Sequence, residues 1–123
     1  MIRRRESGQA TVELALALPV LLGLVILILQ AAMVARVQVL VVQAAREGAR
    51  VAALQGDIPS AQSAARAATG LDSRRLTVDV SLPGRSDGSA VVNATYRIRV
   101  GVPLLGIERE IALHSALAMR REY

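Results

Sequence analysis

Leu14–Ala35 reads LALALPVLLGLVILILQAAMVA, 22 residues without a charge, bounded by Glu13 and Arg36. Gln30 is its only polar side chain. As a helix it would span about 33 Å, against a bilayer hydrocarbon core of about 30 Å. A cleaved secretory signal would have an apolar region of only about 7–15 residues, followed by a polar stretch and a small-residue cleavage site. Here the run is longer and leads into more helix-compatible sequence, so it reads as a retained transmembrane helix. Pro19 lacks a backbone donor and is expected to kink the helix between Ala15 and Pro19, which membrane helices tolerate when neighbours satisfy the freed carbonyl.

The helix is expected to continue outward. After Arg36 comes VQVLVVQAAREGARVAALQG, with no proline. Arg36, Gln43, Glu47 and Arg50 are spaced 7, 4 and 3 apart and share a face. Val37, Val41, Ala44, Ala45, Val51 and Leu54 fill much of the rest. Glu47 stands three before Arg50, a weakly favourable pair. Gly48 costs a helix interior about 1 kcal/mol against Ala, which points to close packing there. Gly56 and Asp57 form the stop.

Beyond it, Ile58 to Thr69 is Ala-rich, opens with Pro59 in its first turn and closes at Gly70, a short second helix. Then the period changes to two. Leu76, Val78, Val80 and Leu82 share one side of a strand. After the turn cluster PGRSDG (83–88), Val92, Ala94, Tyr96, Ile98, Val100 and Val102 alternate with polar residues. Following the link Pro103 to Gly106, a third run sets Ile111, Leu113, Ser115, Leu117 and Met119 against Glu110, Ala112, His114, Ala116 and Ala118. Residues 108–120 could also form a helix, because Ala, Leu and Met are helix formers; strand is the preferred reading. The fold class is α+β: a long N-terminal helix, a short second helix and a three-stranded antiparallel sheet. The outer half of the long helix is the natural cover for the sheet's apolar face.

Composition narrows the function. The 123 residues are 53% hydrophobic but only 2% aromatic, so the apolar content belongs to a membrane segment rather than to an aromatic-rich core. No Cys is present, which excludes disulfide scaffolds, Cys zinc sites and thiol catalysis. The net charge is +5 and all 15 basic residues are Arg. They are scattered among ten acids with only Tyr96 and Tyr123 to stack on bases, so no nucleic-acid partner is expected. His114 is the one His and reads as structural. No P-loop, dinucleotide fingerprint or metal-ligand spacing appears. No cofactor, metal, small-molecule substrate or enzymatic activity is therefore expected.

The N-terminal arm carries the most informative motif. Arg3, Arg4 and Arg5 precede Gly8, and Glu13 stands at the fifth position after that Gly, at the mouth of the apolar run. The three Arg favour a cytoplasmic N-terminus with the bulk on the far side, although Arg36, Arg46 and Arg50 lie beyond the span. The pattern resembles the type IV prepilin processing signal. That resemblance implies a cut between Gly8 and Gln9 by a prepilin peptidase, which removes three Arg and one Glu and leaves +3 over 115 residues. Glu13 would pair with an N-terminal amine within an assembly.

GQATVELALALPVLLGLVILILQ followed by VQAAREGARVAA resembles, more narrowly, the TadE-like family, minor pilins or pseudopilins of tight-adherence (Flp) pilus systems. The signature comprises the Gly-x4-Glu start, a Leu-rich span with Pro near its beginning and the segment Ala45 to Arg50. Leu14 stands where Flp pilins carry Tyr, and TadF-like relatives share the leader logic.

The organisation expected is a basic leader at 1–8, a transmembrane helix at 9–35, an amphipathic continuation at 36–56 and an extracytoplasmic domain at 57–123. The resemblance implies a single-pass protein of the cell membrane or the pilus. Its partners would be the prepilin peptidase, other pilins or pseudopilins, pilus assembly machinery and membrane lipid. Pro19 and Gly48 are the helix-packing candidates. The alternative is an unprocessed single-pass protein whose outer domain binds a partner.

Overall fold

A computed structural model describes residues 3–82 and 88–120, with side chains from Ser7 onward. Its elements are helix α1 (Arg3–Gln55), helix α2 (Ile58–Ala67) and strands β1 (Leu76–Ser81), β2 (Ser89–Val102) and β3 (Ile107–Arg120). The α+β expectation holds. The chain divides into two compact units, Met1–Met33 and Val34–Tyr123.

In the first unit, helix begins at Arg3, earlier than the apolar run. Arg and Glu are good helix formers and nothing between Arg3 and Gly8 breaks a helix more strongly than one glycine. The helix continues through Pro19. Most of its large side chains are bare: Leu16 is 71% and Val20 73% exposed.

Among the described residues, the buried core lies in the second unit. Along α1 the buried positions are Val41, Ala44, Ala45, Gly48, Ala49 and Ala52, a helical stripe of small residues. The stripe ends there: Leu54 is 72% exposed and does not join the wall expected of it. The helix stops two residues later at Gly56, whose φ of 65° is left-handed and whose N–H bonds the Ala52 carbonyl at 3.0 Å. Asp57 then caps α2, its carboxylate accepting from the Ser60 N–H at 3.2 Å and from the Ser60 hydroxyl at 2.6 Å.

The sheet order is β1-β2-β3, both pairs antiparallel. Leu76 and Val78 of β1 and Ala90, Val92, Ala94, Tyr96 and Ile98 of β2 are buried against the α1 stripe and against Ala61 and Ala65 of α2. Residues 107–120 are strand throughout, paired with β2 from Val102↔Ile107 to Ser89↔Arg120. Leu113, Ser115 and Leu117 are half-buried and the residues between them exposed, as expected of the third run, whereas Ile111 and Met119, expected on the same side, are exposed. The Gln62 side-chain amide donates to the Val78 carbonyl at 3.1 Å and ties α2 to β1. No buried side chain among the described residues is polar or charged.

Candidate functional site

The residues singled out from the sequence fall in both units. Gly8 lies in the first turns of α1 with open space where a Cβ would stand. Across it, the Thr11 hydroxyl donates to the Ser7 carbonyl at 2.8 Å. Gln9 and Glu13 lie one turn apart, and the Gln9 side-chain amide donates to Glu13 Oε1 at 3.5 Å. Both are exposed. Gly8 and Glu13, five apart, do not share a face, because helical neighbours recur at three and four. The helix thus brings together the two residues that would follow the cut, Gln9 and Glu13. Arg3, Arg4 and Arg5 have helical backbone, and their side chains lie outside the described residues. Pro19 is exposed.

Gly48 belongs to the second unit, where it does local work. A Cβ there would stand 3.1 Å from the Ala65 Cβ, 3.2 Å from Val92 Cγ1 and 3.4 Å from the Ala61 carbonyl oxygen. Its missing side chain lets α1, α2 and β2 approach at one point. On the opposite side of the helix, Arg50 grips Glu47 through Nη2 to Oε1 at 2.6 Å and Nε to Oε2 at 3.2 Å. The hydrogen bond from Arg50 holds the Glu47 carboxyl below its ordinary pKa.

Two features were not read from the sequence. Arg75, Thr77, Arg97, Arg99 and Glu110 line a shallow depression on the outer face of the sheet, together with Arg74. Arg97 and Glu110 approach to 3.8 Å there. The strand periods contain this cluster, but only the register assembles it. The second is the β2–β3 turn, where Leu104 is 94% and Leu105 69% exposed. A pair of leucines between Pro103 and Gly106 was the available signal. His114, on β3, is exposed, and its carbonyl accepts from the Gln38 amide at 3.4 Å. Among the described residues, no group of three or more His, Cys, Asp or Glu could hold a metal.

The model of the TadE-like protein family matches residues 8–50, the stretch that carried the resemblance. The match begins at Gly8, takes in Glu13 and Pro19, and ends on Arg50, the last residue of the Ala45–Arg50 segment. It supports a minor-pilin-like role associated with tight-adherence pili. Among the described residues, one helix, near the N-terminus, is long and apolar enough to cross a membrane, and its most apolar window has no buried residue. No curated protein and no solved structure matches the chain.

Proposed function

We propose that the chain is a minor pilin or pseudopilin that acts in assembly of a tight-adherence (Flp-type) type IV pilus. The observation that carries this reading is the TadE-like match over residues 8–50, which includes the Gly8-to-Glu13 spacing and the exposed apolar helix behind it. The chain inserts with Arg3, Arg4 and Arg5 on the cytoplasmic side. A prepilin peptidase cuts between Gly8 and Gln9, where the glycine presents no side chain to the enzyme. The product begins at Gln9, which already lies one turn from Glu13. Glu13 then pairs with an N-terminal amine, its own or that of a neighbouring subunit. A carboxylate at the membrane edge is costly without such a partner. The exposed flank of the apolar helix, Pro19 included, packs beside other pilin-like helices, and the chain performs no catalysis.

The test is the mass of the membrane-resident protein, with and without the peptidase. Expected is a chain starting at Gln9 only when the peptidase is present; the full mass in both would overturn processing and favour the uncut single-pass reading. Glu13→Gln separates cutting from assembly. It should still be trimmed but should bind its pilin partners about 10–150-fold more weakly, the worth of a charge-assisted hydrogen bond of about 1.5–3 kcal/mol. Normal co-purification of the trimmed variant would remove Glu13 from the mechanism.

A further inference from the structure

The sheet is uneven, because β2 has 14 residues and β1 only 6. β3 pairs with the whole of β2, whereas β1 pairs with residues 91–96 alone. On the β1 side the ladder stops where the chain turns. The Arg97 N–H still donates to the Arg75 carbonyl at 3.3 Å, but the Arg75 N–H bends back to the Asp72 carbonyl at 3.0 Å. Beyond that point no described strand lies beside residues 98–102 on this side. Backbone groups point alternately to the two sides of a strand. Arg99, two residues after Arg97, therefore turns its N–H and C=O to the open side. From Arg97 to Val102 the open edge is about 17 Å long, at about 3.3 Å per residue.

This edge runs beside the depression lined by Arg74, Arg75, Thr77, Arg97, Arg99 and Glu110, about 420 Å³ in volume. All four arginines are exposed. Glu110 is engaged by Arg97 at 3.8 Å. Asp72 turns its carboxylate to the Arg74 N–H at 3.0 Å. Glu108 lies farther along β3, opposite Gly101. Among the described residues, none of Arg74, Arg75 and Arg99 has an ion-pair partner. The other face of the same strip is aliphatic: Ile98 is buried, and Val100 is half-buried at the rim of the core. One length of backbone without a strand beside it is thus cationic on one face and apolar on the other.

We propose that the open edge of β2 binds an extended segment of a partner protein in which acidic and aliphatic residues alternate. The segment continues the line of β1, antiparallel to β2. Its residue opposite Arg99 exchanges both main-chain hydrogen bonds with Arg99 and faces outward with it. That residue and its alternate neighbours are the acidic ones, within reach of Arg75, Arg97 and Arg99. The residues between them are aliphatic and extend the cover over Val100. Strand addition of this kind draws affinity from the main chain and specificity from alternate side chains. Arginine suits the outer row, because its planar fork meets a carboxylate with two N–H groups at once. A bare edge invites unselective pairing, and the arginines turn away basic strands. The site lies wholly within the second unit and needs nothing of the apolar helix or of its processing.

The test uses the full chain in a neutral detergent and a fluorescent peptide of about eight residues, long enough for the edge, in which glutamate and valine alternate. Binding is read by anisotropy at about 0.15 M salt, where distant charges are screened. Expected is saturable binding that Arg75→Gln and Arg99→Gln each weaken about 2–5-fold, the worth of an exposed ion pair. Arg66→Gln, at an exposed position of α2, should leave it unchanged. Methylating the peptide's own amides separates a strand from a mere counter-ion and requires no variant to fold. Methyl groups on the glutamate amides, which face β2, should abolish binding; methyl groups on the valine amides, which face away, should spare it. Equal binding of both methylated peptides, with competition by inorganic polyphosphate, would overturn strand addition and leave a plain anion site. A glutamine–valine peptide that binds as tightly as the glutamate one would overturn the role of the arginines. No binding of the glutamate peptide would overturn the proposal outright.

Discussion

Leu14–Met33 and Val41–Ala52 belong to one helix, and both are apolar, yet the first stretch is Leu, Val and Ile standing exposed while the second buries Ala and Gly. Apolarity alone does not tell them apart; side-chain size does. Where the helix meets protein, small residues let the backbones of α2 and β2 come close, and Gly48 marks the tightest point. Where it meets no protein, large aliphatic groups offer the surface that lipid tails accept. The two stretches should therefore respond oppositely to the same substitutions.

The largest effect expected comes from cutting between the two regimes. Each buried apolar residue of the core lies at Val41 or later. A fragment of residues 34–123 should keep a cooperative unfolding transition, whereas residues 57–123, stripped of the α1 stripe, should show none. Chemical denaturation followed by circular dichroism checks both. A cooperative transition in the shorter fragment would mean that the stripe is dispensable.

Next is size at a glycine. Gly48→Leu must push Ala65, Val92 and the Ala61 carbonyl apart and should destabilise the second unit by about 3 kcal/mol. Gly23→Leu, with nothing within 4 Å, should leave that transition in place. Equal midpoints for the two would erase the contrast.

Removing size should hurt on the same side only. Val41 is wholly buried, so Val41→Ala should cost about 2 kcal/mol, while Val20→Ala, at a site 73% exposed, should not shift the midpoint. A smaller effect is expected at the join between helices. Asp57→Ala removes the cap of α2 and should cost about 1 kcal/mol, read as a lower denaturation midpoint with an unchanged slope.

The smallest effect concerns pH. The hydrogen bond from Arg50 depresses the Glu47 pKa below its ordinary 4.5. Its contribution is therefore full above that ordinary value and fades as pH falls through the lower folded value. The pair is exposed, so the change should be slight, and Glu47→Gln should remove it. With no buried polar side chain described, stability should otherwise stay nearly flat around neutrality.

Much of this contrast was legible in the residue pattern. The period-two runs at Leu76–Leu82 and Val92–Val102 are strands because their alternation matches a sheet with one buried face. Residues 108–120 were ambiguous because Ala, Leu and Met suit either element; pairing with β2 decides it, and pairing is not a local property. Leu54 was misjudged because a helical period continues past the point where the sheet has anything to offer it. The early start at Arg3 was missed because a leader motif says nothing about backbone conformation. At the candidate site the Gly8-to-Glu13 spacing was plain, but the approach of Gln9 to Glu13 needed a helix already formed around them. The pair Leu104–Leu105 between Pro103 and Gly106 marked an apolar turn, but how bare it is depends on how far the hairpin reaches beyond its core.

Tyr96 gives the molecule an optical consequence. It is 8% exposed, in the middle of β2 and within the cluster formed by the sheet and the α1 stripe. The only other aromatic residue in the chain is Tyr123. A phenol ring held rigidly among aliphatic groups acquires a near-ultraviolet dichroic band that vanishes when the packing loosens. With no tryptophan to obscure it, that band reads the closure of helix on sheet directly, while far-ultraviolet ellipticity is dominated by the long helix. The two spectral windows thus watch different halves of one polypeptide without any label.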